Sequence, residues 1–166
     1  MELTKQILDF IDYDEIKFIC LSHRTNSEEI AKKIMQEGFE FAEAIQSTTD
    51  FLVNDEVVLK YYYNLRRNYG EYNIIICIAN EIYDYYLGKL KDSPNGKTYT
   101  VEEILTEKEG WYDEERDQNI FILPKQFIKG YYNEETSEIV KNPHFNPFYN
   151  SEKFKENLNK IINPKS

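Results

Sequence analysis

Cysteine is scarce in this chain, with only Cys20 and Cys77 among 166 residues. Two cysteines build no disulfide framework, and each lies inside an apolar extended run, the setting of an inert buried thiol. Both are expected to be free, in a reducing compartment. Histidine is as rare: His23 and His144 alone leave a zinc site or a hydrolase triad little to stand on, and no metal is expected. A strand residue three positions from His23 points away from it, so Cys20 makes no thiol–imidazole pair. Glycine-rich phosphate loops, His-Glu-x-x-His and Gly-x-Ser-x-Gly are all missing. No run approaches 18 apolar residues, and Met1 to Gln6 lack a basic patch ahead of an apolar core, which argues against membrane spanning and secretion. Basic residues are the minority, 20 against 30 acidic, for a net charge of -10. That charge repels a nucleic-acid backbone, and no Lys/Arg run overrides it. The tail after Ser151, with Lys153, Lys155, Lys160 and Lys165, leans basic only as a solvated amphipathic helix does. The expected location is the cytoplasm.

What the chain does have is aromatic bulk. Fourteen Tyr and ten Phe within a 41% hydrophobic composition place it outside the disordered range, at the length of one domain spanning residues 1–166. Leu3, Ile7, Leu8, Phe10 and Ile11 predict a short amphipathic helix within 3–13. Ile16 to Leu21 reads as the first strand. Asn73 to Ala79, an apolar run after its first residue and rich in β-branched residues, reads as a central strand buried on both faces. Helices are predicted from Asn54 or Asp55 to about Arg67, with Gly70 as the stop, and over Glu81 to Leu90, followed by a Ser93-Pro94-Asn95-Gly96 turn. Lys97 to Asp117 reads as an irregular excursion with a short helix at Val101 to Thr106. Strands follow at Asn119 to Leu123 and Phe127 to Tyr132, broken by Pro124. His144 falls in a proline-broken exposed loop, and Ser151 caps a final helix over 151–163. Helices in the first two thirds with hairpin-like pairing near the end, and no regular strand–helix alternation, make this an α+β fold.

The segment Phe18 to Phe41 carries the chemistry-bearing residues. An apolar run passes through His23-Arg24-Thr25 and then switches to helical spacing, with Ile30, Ala31, Ile34 and Met35 on one side. Thr25 with Glu28 can form a capping box, Ser27 is a competing cap one step later, and Gly38 supplies the stop. Phe39 and Phe41 alternate into the next segment, which to Ile45 fits strand or helix. His23 is thus expected at the carboxyl end of a buried strand. A lone histidine more often packs or caps than binds, so its weight depends on what accompanies it.

Taken in order, the strand ending in His-x-Thr, the helix ending in Gly-Phe, the hydroxyl-rich bend Gln46 to Phe51, the tyrosine-bearing helix, the buried strand and Pro-x-x-Phe-Ile-x-Gly after Asn119 resemble the ADP-ribosyltransferase superfamily over roughly residues 16 to 132. The resemblance implies a split, bent β-sheet with flanking helices that holds NAD as substrate in its cleft, and transfer of ADP-ribose to a protein, nucleotide or water. It implies that His23 holds a ribose hydroxyl, that Thr25 fills a small hydroxyl position, and that Thr49 in the Ser47–Thr49 bend shapes the nicotinamide pocket. Tyr61 or Tyr62 would stack on the nicotinamide ring. Arg24 stands where the family often has Gly, and is given pyrophosphate charge to neutralise. Gln118 and Asn119 stand where its transferases present a Glu that stabilises the charge growing as the nicotinamide bond breaks; Glu114, Glu115 and Asp117 are close in sequence. A host cytoplasm is the implied location for an effector of this kind. A second reading, of a different class, takes the tyrosine clusters at 61–63, 85–86 and 131–132 as the contact surface of an acidic interaction module, phage- or mobile-element-encoded and without catalysis. Abundant Asn, Ile and Lys offer a plainer source for those tyrosines in an AT-rich genome.

Overall fold

Two antiparallel sheets with no strand pairing between them organise the chain, in a computed structural model that describes residues 4–12, 14, 16–42, 50–52, 70–107 and 111–164. The helix expected between Asn54 and Arg67, and Thr49, Tyr61 and Tyr62 with it, lie outside the described residues. The helices are α1 (Lys5–Ile11), α2 (Glu28–Glu37), α3 (Asn80–Asp92), α4 (Val101–Ile104) and α5 (Glu152–Ile162). The strands are β1 (Phe18–Thr25), β2 (Phe39–Ala42), β3 (Asp50–Leu52), β4 (Tyr72–Ala79), β5 (Trp111–Asp113), β6 (Gln118–Leu123), β7 (Ile128–Asn133) and β8 (Ile139–Lys141). This is a mixed α+β architecture, as the order of elements in the sequence predicts.

The larger sheet runs β3-β1-β4-β7-β8 and the smaller β2-β6-β5. β4 sits at the centre of the first because its residues suit burial on both faces. Ile74, Ile76 and Ile78 enter one core and Ile75 and Cys77 the other, with all four isoleucines fully buried. Each contributes about 1.5–3 kcal/mol of apolar burial. The first core lies under α2, α3, α4 and α5, where Phe154 stacks on Phe127 at 6.1 Å. The second lies under α1, through Ile7, Phe10 and Ile11. Pro124 and the 3-10 turn Lys125–Phe127 separate β6 from β7, so these two sequence neighbours join different sheets.

Three strands were not evident from the sequence. β3 occupies part of the expected bend, β5 part of the expected irregular excursion, and β8 follows the β7 turn. Each is only three residues long and is defined by its partner: β1, β6 and β7 respectively.

The cysteines require a correction. β1 and β4 pair with Cys20 directly opposite Cys77, their Cα atoms 4.3 Å apart, and the two form a disulfide. Periodicity placed both in buried strands, but the register that makes them partners is a property of the pairing. With a disulfide formed, the inference of a reducing compartment loses its premise. Among the described residues no helix is long and apolar enough to cross a membrane.

Candidate functional site

β1 continues to Thr25, so His23 lies inside the strand, two residues before its end. Alternation along the strand puts Leu21 and His23 toward α2, and Cys20, Ser22 and Arg24 toward the opposite face. The His23 ring is half-buried and meets Phe39, with ring centroids 4.9 Å apart. Phe39 reaches that position because Gly38 ends α2 at φ 103°, a conformation that side chains disfavour. A Cβ there would lie 2.3 Å from the Leu123 carbonyl oxygen, so helix, glycine and β2 close tightly against β6.

A groove of about 580 Å3 opens where these pieces meet. Its walls are His23 from β1, Ile30, Lys33, Ile34 and Glu37 from α2, Phe39 to Phe41 from β2, and Arg116, Gln118, Ile120 and Ile122 from β6 and the turn before it. The β2–β6 register pairs Glu40 with Ile122 and Ala42 with Ile120, which puts Glu40, Ile122, Ile120 and Gln118 on one face of the small sheet. The result is an apolar floor with charged groups around it: Lys33 and Arg116 of one sign, Glu37 and Glu40 of the other. Lys33 lies 4.0 Å from Glu37. Asp113 accepts from the backbone N–H groups of Glu115 and Arg116 and holds the Arg116 Nε at 3.0 Å, fixing the β5–β6 turn.

Of the residues singled out from the sequence, His23 and Gln118 come together on this groove. Asn119 does not; it is exposed, pairs with Tyr112 of β5 and leaves β6 on the side opposite Gln118. Arg24 does not either. Its side chain is buried, paired with Glu134, and donates from Nη1 to the Gly70 carbonyl at 3.2 Å. A guanidinium committed to a buried carboxylate on the far face is a structural group, not one that reaches pyrophosphate in this groove. Thr25 is buried and accepts from the Ser27 backbone N–H at 3.2 Å, while Ser27, the competing cap, is the one that caps α2 by accepting from Ile30. Thr49, Tyr61 and Tyr62 lie outside the described residues. Glu114 and Glu115 are exposed on the turn, as is Asp117, and none of them lines the groove. His144 is exposed, as expected of its loop.

Sequence reasoning passed over Lys33, Glu37, Glu40 and Arg116. A signal existed for three of them. Ile30, Lys33, Ile34 and Glu37 follow helical spacing on one stripe, and the alternation Phe39-Glu40-Phe41 turns Glu40 away from its aromatic neighbours.

Comparison with known protein families, curated proteins and solved structures finds no match.

Proposed function

We propose that the groove beside His23 binds NAD, and that the chain is an ADP-ribosyltransferase-like protein that cleaves the nicotinamide–ribose bond and transfers ADP-ribose to an acceptor. The observation that carries this reading is the meeting of His23 and Gln118, distant in sequence and from different sheets, on the wall of one groove. Two further features support it. A split into a five-stranded and a three-stranded antiparallel sheet, with the groove between them, is compatible with a split-sheet cleft. The volume falls in the range of small-molecule sites, roughly 300–1,000 Å3, with an apolar floor suited to a planar ring and a few polar groups to orient it.

In this reading His23 donates to or accepts from a ribose hydroxyl, and the Gln118 amide fixes a second polar group of the ligand. With Arg24 held by Glu134, the cations that line the groove among the described residues are Lys33 and Arg116, and in this reading they meet pyrophosphate. Calorimetric titration of NAD into the wild type, His23→Ala and Gln118→Ala tests it. The expected result is saturable binding, weakened roughly tenfold or more by either substitution, which is about 1.4 kcal/mol. Absence of binding, or binding indifferent to both substitutions, overturns it.

The interaction-module reading retains one specific support: Trp111 and Tyr112 are exposed together on the short strand β5. Its other described tyrosines favour it less, because Tyr86, Tyr131 and Tyr132 are fully buried in the two cores and only Tyr85 of those clusters is exposed.

A further inference from the structure

Beside the second core, where α1 ends against β7 and β8, lies a cavity of about 260 Å3 that shares no lining residue with the His23 groove. Asp9, Phe10 and Asp12 line it from α1 and its end, Lys129 from β7, Lys141 from β8, and Phe145 from the loop beyond. Lys141 pairs with Gly130, the residue after Lys129, so the two lysines reach one cavity from adjacent strands. Gly130 permits this closeness. At φ 147° it sits where a Cβ would lie 2.2 Å from the Val140 carbonyl oxygen and 3.0 Å from the Phe10 ring. Asn142 fixes the backbone here, donating from its main-chain N–H to the Lys129 carbonyl at 3.0 Å and from its side chain to the Lys125 and Ile128 carbonyls at 2.9 and 2.8 Å.

The Lys129 side chain is half-buried, and its Nζ donates to the Ile11 carbonyl at 2.6 Å and lies 5.9 Å from the centroid of the Phe10 ring. Part of this is helix capping, since a lysine at the carboxyl end of α1 satisfies a carbonyl left open there. Capping requires neither a cavity beside the amine nor a second lysine on its wall. Burial pulls the Lys129 ammonium below its ordinary 10.5, against the attraction of Asp12 and with the repulsion of Lys141. A neutral amine needs only one hydrogen for the Ile11 bond and keeps its lone pair for a carbonyl carbon.

We infer that Lys129 is a carbonyl-reactive amine, and that its cavity takes a small aldehyde or ketone bearing a carboxylate that Lys141 meets. The site stands apart from the NAD reading. Its volume, just below the roughly 300–1,000 Å3 of drug-sized sites, suits a compound of a few carbons. In the reaction the Nζ lone pair bonds the carbonyl carbon, and the oxygen takes the displaced electron pair and one Nζ proton. The hydroxyl of this carbinolamine then leaves as water with the remaining Nζ proton as C=N forms. Protonated from solvent, the imine keeps a hydrogen for the Ile11 carbonyl.

The test incubates the full chain near neutral pH with limiting glyoxylate and cyanoborohydride, whose hydride reduces the imine to a stable secondary amine, and locates the modified lysines by peptide mass spectrometry. The exposed Lys32 and Lys33 of α2 serve as internal references. Lys129 is expected to be modified about tenfold faster than either, as a more abundant neutral amine requires. Denaturant should erase the difference. In Lys141→Gln, shown to be folded by circular dichroism, the Lys129 rate with glyoxylate should fall severalfold while that with acetaldehyde, which has no carboxylate, holds. Modification of Lys129 no faster than Lys32 and Lys33, or a preference that survives denaturant, overturns the inference. Equal rates for wild type and Lys141→Gln with glyoxylate overturn the carboxylate contact and with it the proposed ligand class.

Discussion

Arg24 and His23 are adjacent in sequence and serve opposite faces of one strand, which is why one can line a groove while the other is locked into the fold. The Arg24 and Glu134 side chains are 2% and 11% exposed. Removing one partner strands the other charge in a poorly solvated place, so Arg24→Met is expected to cost about 3 kcal/mol in urea denaturation, and the double variant Arg24→Met with Glu134→Leu to recover much of that. Equal losses for the single and double variants would contradict a coupled pair. Two buried phenols give a second prediction at this scale. Burial, with Glu28 and Glu138 adding, pushes Tyr131 from its ordinary 10.0 up to about 12. Burial, with Tyr85 and Glu152 adding, does the same for Tyr86, whose hydroxyl donates to the Asn150 Oδ1 at 2.5 Å. The folded state thus holds these protons more tightly than the unfolded chain. The stability this provides is complete below pH 10 and is lost as pH rises from 10 toward 12. Phenolate absorbance followed together with far-ultraviolet circular dichroism should show the last tyrosines ionising only as the fold is lost; full ionisation near pH 10 with the fold intact would refute it.

Helix α2 shows how an element positions the groove. Its start is set by Ser27, whose side chain accepts from Ile30, and its end by Gly38. Ser27→Ala is expected to cost about 1 kcal/mol of stability. Thr25, read from the sequence as able to form a capping box with Glu28, instead accepts from the Ser27 backbone N–H, so its loss should leave the helix content measured by circular dichroism unchanged. α2, β4 and α5 are legible in the sequence because each carries a long periodic or continuous apolar signal that survives any tertiary context. β3, β5 and β8 are not, since three residues hold no period and the strand exists only where a neighbour pairs with it. The same limit governed the site. Reading β1 to end at Leu21 stopped the alternation two residues short of His23, so Arg24 kept a binding role that the extended strand denies it. Glu40 was hidden because the segment from Phe39 fits strand or helix equally well, and its face is fixed only by pairing with β6.

At the scale of the whole molecule, the large sheet carries His23, the small sheet carries Gln118 and Glu40, and the groove depends on how they are held. The Cys20–Cys77 bond closes a separation of 57 residues between β1 and β4. By loop-closure entropy its reduction should lower stability by about 4 kcal/mol, seen as a shift of the denaturation midpoint with reductant; alkylation of both cysteines in denaturant without reductant would show the bond to be absent. The central claim is that His23 faces the ligand, and the composition allows it to be tested directly. The chain has two histidines, so a carbon-labelled histidine spectrum contains two imidazole signals, one from the groove and one from the exposed loop at His144. Addition of NAD should move the His23 signal saturably and leave that of His144 in place. A spectrum in which His23 stays fixed at saturating NAD, or only His144 responds, would contradict the account.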